Sequence, residues 1–253
     1  MLLVVFGAGA SFDSVPHFPL RASAYEIFRP PLANELFGDR RPFVEVMQLY
    51  GDFLPLIPRL RGEVQVEQIL ARFQEEAETY PKRYRQLAAI RYYLQRMLLD
   101  TQAAWLLQHH GITNYGTVLD EIDRWRVEAK EQVCFVTFNY DTMLEEAMRQ
   151  VLQFNIGSMA SYVDREDYVL LKLHGSVNWG RVIEGGFPNP PIRTQQQLID
   201  VASDLKISDT YVLDQNSPML QHNDLLLFPA LAIPVEKKIP LNVLRNILHF
   251  SRP

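Results

Sequence analysis

Cysteine is nearly missing from this chain of 253 residues: Cys134 is the one example. No disulfide can form within the chain, and no multi-cysteine zinc site can exist. Cys134 lies inside an apolar run and reads as a small buried strand residue. Positive charge is also short, with 25 Lys and Arg against 30 Asp and Glu and a formal net charge of −5. There is no global basic field for a polyphosphate backbone, so direct nucleic-acid binding is not expected, a local basic patch aside. Long hydrophobic runs are lacking as well. The longest, Leu225 to Val235, is far shorter than a membrane span and is broken by Pro229 and Pro234, so no membrane segment is expected. The apolar start, Met1 to Phe6, has no basic segment before it and ends at Gly7. It does not fit a secretory signal, and a cytoplasmic location is expected. Paired-histidine metal motifs, a serine nucleophile elbow and a phosphate-binding lysine loop are missing too, and no metal is expected.

What is present suffices for a globular fold. A hydrophobic content of 47% over this length can bury a sizeable core, as one large domain or one domain with a sizeable insertion. Leu2 to Phe6, Val133 to Phe138 and Tyr168 to Leu173 read as short buried strands. Between the first two, apolar positions at helical spacing predict an amphipathic helix over 64–80, a second after Pro81 running to about His109, and a third over about 115–128. Roughly a hundred mostly helical residues exceed what one crossover requires, which predicts an inserted helical subdomain at about 60–130. Leu144, Ala147, Met148, Val151 and Leu152 predict a further helix after Asp141. Residues 14–42 read as irregular, 185–195 as a Gly- and Pro-rich loop, 192–205 as a short helix, and Leu241 to Phe250 as a terminal helix. The fold class is α/β, a Rossmann-like parallel sheet with the helical insertion.

Loops after buried strands carry chemistry in open α/β sheets. Gly7-Ala8-Gly9-Ala10-Ser11 permits a tight turn and close backbone approach, so its amides can meet phosphate oxygens; an ordinary glycine turn explains it equally. Phe12 stands where a G-x-G-x-x-G pattern needs its third glycine. Asn139 and Asp141 sit where strand gives way to helix, and either can be a helix-start residue. Thr142 with Glu145 three residues on forms a capping-box pattern, which would leave Asn139 and Asp141 free to face a cleft. His174, before Gly175, suits a general base near neutral pH, or is a packed structural histidine.

Taken together and in order, the Gly-Ala-Gly-x-Ser segment, the string Val136-Thr137-Phe138-Asn139-Tyr140-Asp141 and the string Lys172-Leu173-His174-Gly175-Ser176-Val177-Asn178-Trp179 resemble the sirtuin superfamily. They look most like its bacterial NAD hydrolases of antiphage defence. The resemblance implies one sirtuin-like NAD-binding domain over 1–253 and NAD+ as substrate, cleaved at the nicotinamide–ribose bond to nicotinamide and ADP-ribose. It implies that Gly7, Ala8, Gly9, Ala10 and Ser11 hold the NAD phosphates and that Asp141 bonds the nicotinamide carboxamide. Asn139 would position ribose and water, and His174 would be the general base. Phe138, Gly175 and Ser176 complete the expected binding set. Homo-oligomerisation, or assembly with another defence protein, is the expected partnership. With Cys134 alone, the zinc ribbon of deacetylase sirtuins is missing, which disfavours a deacylase or ADP-ribosyltransferase; a non-catalytic NAD- or ADP-ribose-sensing module is the other alternative. The family's further strand and loop on the adenosine side are not recognisable before Pro253, so the C-terminal part of the fold is expected to be incomplete.

Overall fold

A computed structural model describes residues 1–15, 27–63, 65–185, 192–214, 221–222 and 225–232. The terminal helix expected over Leu241 to Phe250, and part of the loop expected over 185–195, lie outside the described residues.

Three strands, β1 (Leu2–Phe6), β2 (Val133–Thr137) and β3 (Tyr168–Lys172), form a parallel sheet in the order β1-β2-β3. Their register is unbroken, and the last rung joins Phe6, Thr137 and Lys172. Alternation along each strand sends Leu2, Val4, Phe6, Val133, Phe135, Tyr168 and Leu170 to one face, where they pack with Trp105, Tyr115, Leu119, Leu144 and Met148. Leu3, Cys134, Val136, Val169 and Leu171 take the other face, along with Val5.

Between β1 and β2 the described residues form α1 (Ala8–Phe12), α2 (Arg41–Leu49), a single turn α3 (Ile57–Leu60), α4 (Val66–Ala77), α5 (Lys82–Gln108) and α6 (Asn114–Ala129). The last three are the helices expected over 64–80, after Pro81 and over about 115–128; α2 and α3 were not expected. The end of α6 is closed by Lys130 in the left-handed conformation, φ 54°. α7 (Met143–Val151) connects β2 to β3, and α8 (Gln195–Asp200) begins at a Thr194 cap that accepts from the Gln197 amide. Among the described residues no helix is long and apolar enough to cross a membrane.

A second, antiparallel sheet is unforeseen by the sequence reading. β4 (Gly175–Ile183), β5 (Ile207–Leu213), β6 (Gln221–His222) and β7 (Leu225–Leu231) are ordered β5-β4-β7-β6. Its apolar side chains Val177, Leu226, Phe228 and Leu231 pack with α2, α4 and the first half of α5 in a core separate from the one beneath the parallel sheet. The long helix α5 belongs to both, with Tyr92, Leu94 and Met97 in one core and Trp105 in the other.

Gly175 opens β4 where β3 turns over into the second sheet. Its φ is +77°, and a Cβ there would lie 1.9 Å from the Ala230 carbonyl oxygen on β7. Gly175→Ala is therefore expected to cost at least about 2 kcal/mol, from backbone strain plus displacement of β7. A urea-unfolding midpoint equal to wild type would refute this.

Candidate functional site

The shared last rung of the parallel sheet brings the three motif segments out along one edge. The Phe138 amide donates to the Phe6 carbonyl (3.1 Å) and the Leu173 amide to the Thr137 carbonyl (3.0 Å), so the segments starting at Gly7, Phe138 and Leu173 leave together. This is the carboxyl edge, where ligands of open α/β sheets sit.

The glycine segment is helical from its second residue. Gly7 is the extended cap of α1 (φ −112°, ψ −178°), and Ala8 to Phe12 form a turn and a half. Neither Gly7 nor Gly9 needs a positive φ. What the missing side chains leave is room: a Cβ at either would meet nothing within 4 Å. Both are exposed, and the first amides of a helix have no partner within it.

Ser11, on the inner side of α1, is 2% exposed and is the hub of a buried cluster. Its Oγ donates to Asp141 Oδ2 (2.8 Å) and accepts from Asn139 Nδ2 (2.9 Å). Because its single proton goes to the carboxylate, the 2.9 Å contact with Tyr115 is donated by the tyrosine. Burial pushes the Tyr115 hydroxyl pKa well up, which keeps that proton in place. The serine hydroxyl is then saturated. It braces the site, and a phosphate ligand from this segment would come from the backbone around Gly7 and Gly9.

Asn139 spends both amide protons inside the cluster, on Ser11 and on the Tyr115 hydroxyl (3.2 Å). Its own backbone amide donates to Thr137 Oγ1 (3.0 Å), which fixes the turn out of β2. Its carbonyl oxygen Oδ1 is buried with no hydrogen-bond partner. A buried acceptor left open is costly, and it calls for a donor such as a water or a ligand hydroxyl.

Asp141 overturns the capping-box expectation. Thr142 makes no side-chain cap; its Oγ1 accepts from Gln102 Nε2 (2.9 Å) and its amide donates to Gln102 Oε1 (2.8 Å). Asp141 Oδ1 takes the Met143 amide instead (3.0 Å). Glu145 is drawn away from the helix start by Lys172, which meets its Oε1 at 2.6 Å. The Lys172 ammonium also donates to the Asp141 carbonyl, and the two side chains are 0% and 9% exposed. Burial is the main force raising the Glu145 carboxyl pKa, with the lysine pulling it back. Each Asp141 oxygen carries one donor, so one acceptor position on each remains for a ligand.

His174 sits half-buried in the β3–β4 turn. Its ring packs on Phe138 (centroids 5.2 Å apart, 66°) and Tyr140 (5.9 Å, 36°), the two residues flanking Asn139. Its carbonyl accepts from the Ala232 amide (3.0 Å), and Tyr140 Oη donates to the Ala232 carbonyl (2.7 Å). Gly175 is accounted for by its contact with β7, and Ser176, fully buried, donates to the Tyr140 carbonyl at 3.2 Å. Both lock the turn that carries His174.

Ser11 thus bonds directly to both Asn139 and Asp141, and Phe138 and His174 are in contact beside them. Tyr115 and Lys172 are the members that sequence reasoning missed. Tyr115 reaches Ser11 because the start of α6 is tied to the end of α1: the Asn114 amide donates to the Ser14 carbonyl and Asn114 Nδ2 to the Asp13 carbonyl (2.8 Å). Trp105 Nε1 reinforces the link through Ser14 Oγ (3.0 Å). Lys172 had a readable signal, a lysine at an inward position of an alternating strand. Among the described residues no three His, Cys, Asp or Glu side chains converge as a metal site. No protein-family model matches the chain, and no curated protein sequence matches it.

Proposed function

We propose that this edge is an NAD+-hydrolysing site on a Rossmann-like domain with an inserted helical subdomain. The observation that carries the proposal is the Asn139 carbonyl oxygen, buried and open, bonded through its amide to the serine of a glycine segment with room at Gly7 and Gly9. A nucleotide offers what this arrangement lacks: phosphate oxygens for the backbone amides and ribose hydroxyls or an ordered water for Oδ1.

The chemistry asks little of acid catalysis. Breaking the nicotinamide–ribose bond builds oxocarbenium character at the anomeric carbon, and nicotinamide leaves as a neutral ring, so the leaving group needs no proton. Water attacks the anomeric carbon, and the proton it sheds passes to a base. Asn139 orients water and ribose, Asp141 accepts the carboxamide N–H, and His174 takes the proton. Depletion of cellular NAD in antiphage defence, as part of an oligomer or with another defence protein, is the biological role in keeping with the motif resemblance.

The direct test is release of nicotinamide and ADP-ribose from NAD+ by the purified full chain, with NAD+ binding recorded on the same samples. Release supports the hydrolase. Binding without release points to a sensing module, release only with an acyl-lysine peptide points to a deacylase, and neither binding nor release overturns the site.

Gly9→Ala separates a ligand surface from an ordinary turn. An alanine inside α1 meets no neighbour and is expected to leave stability equal or raise it by up to about 1 kcal/mol. The same methyl group would stand where the phosphates approach, and NAD+ affinity is expected to fall about tenfold. Unchanged affinity, measured by calorimetry beside a thermal melt, would remove the glycine segment from the site.

A further inference from the structure

The direction of the hydrogen bonds in the buried cluster follows from its last member. The Asp141 carboxylate only accepts, so the Ser11 hydroxyl donates to Oδ2 (2.8 Å) and the Tyr115 hydroxyl donates to Ser11 Oγ (2.9 Å). Both hydroxyl protons are then spent, and the two oxygens turn only lone pairs toward Asn139. The atom they meet, 2.9 Å from Ser11 and 3.2 Å from Tyr115, is therefore the amide nitrogen. Turned over, the amide would set Oδ1 against two oxygens with no proton to give.

We propose that Tyr115 is a positioning residue: with Ser11 it locks the Asn139 amide so that the carbonyl oxygen is the atom left open, and the group bound there must be a donor, a hydroxyl or a water. That this donor belongs to NAD+ or to the attacking water rests on the hydrolase reading above; the locking of the amide does not. Ser11 alone is insufficient. The terminal torsion of an asparagine is broad, so one hydrogen bond leaves the amide room to swing, and a second acceptor on the other N–H fixes it.

Tyr115 is itself firmly held. It is buried, its ring stands edge-on to Phe6 (centroids 5.4 Å apart, 69°), and the preceding Asn114 amide is tied to the Ser14 carbonyl. Burial keeps its hydroxyl protonated, so it remains a donor to Ser11. Because Tyr115 lies at the start of α6, that helix contributes directly to the carboxyl edge of the parallel sheet.

Tyr115→Phe keeps the ring and removes the hydroxyl. In the full-length, isotope-labelled chain followed by NMR, solvent exchange of the Asn139 side-chain amide protons is expected to accelerate at least about tenfold. The melting temperature is expected to fall by only about 2–4 °C. For nicotinamide release, kcat is expected to fall at least about tenfold with KM changed less than about threefold, because orientation at the reacting carbon is lost while the phosphate and carboxamide contacts remain. Tyr92→Phe removes a likewise buried hydroxyl from the other core, where it donates to the Leu227 carbonyl, and is expected to leave both readouts at wild-type values. Unchanged amide exchange or a wild-type kcat in Tyr115→Phe overturns the proposal, as do equal effects of the two variants. Faster exchange in Tyr115→Phe, beside a wild-type chain that releases no nicotinamide, upholds the positioning role and removes NAD+ hydrolysis as its use.

Discussion

Nicotinamide release is expected to fall by about 10²–10⁴-fold in Asn139→Ala and in His174→Ala, the range that a positioned base or water-orienting group contributes. The two losses have different origins. Asn139→Ala deletes the open carbonyl oxygen and, with it, two amide donors to Ser11 and Tyr115. Those hydroxyls stay bonded to each other, and Ser11 stays bonded to Asp141, so the fold is expected to lose only about 1–2 kcal/mol. His174→Ala removes a ring lying on Phe138 and Tyr140, while the backbone bond from Ala232 to its carbonyl is untouched. A melt beside the kinetics separates unfolding from lost chemistry. Binding of NAD+ should survive His174→Ala better than Asn139→Ala, since the proposed base acts only on the attacking water whereas the proposed role of Asn139 includes the ribose. Wild-type release in either variant would sink the site assignment.

The second large effect is structural. Lys172→Met is expected to cost about 3–5 kcal/mol, because it leaves the Glu145 carboxylate buried without its cation. The same change frees the Asp141 carbonyl and loosens the turn that presents Asn139 and Asp141. Lys172→Met/Glu145→Leu should recover most of the stability by replacing the pair with apolar volume. The sign with pH is defined. Without the lysine, burial holds the Glu145 pKa above its unfolded value in the folded state, so the folded chain keeps the proton longer. The deficit of the single variant is then small below about pH 4 and grows as pH rises toward the raised value. Urea unfolding at several pH values checks this. A cost under about 1 kcal/mol, the size of an exposed pair, would contradict the enclosed geometry.

β2 was legible because a strand buried on both faces reads as an unbroken apolar run, as Val133 to Thr137 does; Leu2 to Phe6 reads the same way although Leu3 and Val5 are more than half exposed. The long helices showed their period of 3.6. The antiparallel sheet was not legible for reasons its residues explain. β7 contains Pro229, a residue that normally demotes a strand, and it is tolerated opposite Gly180, near an irregularity in the register. β4 mixes Gly175, Ser176 and Asn178 with its apolar positions, which blurs any alternation. At the site, Ser11, Asn139 and Asp141 carried local signals as strand-end residues. Tyr115 carried none, since its role depends on α6 docking against α1 across about a hundred residues of chain. The Thr142–Glu145 pattern misled because capping is a local rule, and here Lys172 from a neighbouring strand outcompetes it for the glutamate.

The pairing of β1 with β2 also sets an order of events during synthesis. Leu2 to Phe6 are translated first, but their partners Val133 to Thr137 come 131 residues later. At roughly 5–20 residues per second, the first strand waits roughly 6–25 s for a neighbour. The helices between them make their contacts locally and can assemble in that interval. Ser11 must then hold its place until Tyr115, Asn139 and Asp141 have all been made, and His174 follows later still. The candidate site is therefore assembled only after its last member has been made, and a nascent or prematurely terminated chain shorter than about 175 residues cannot have it.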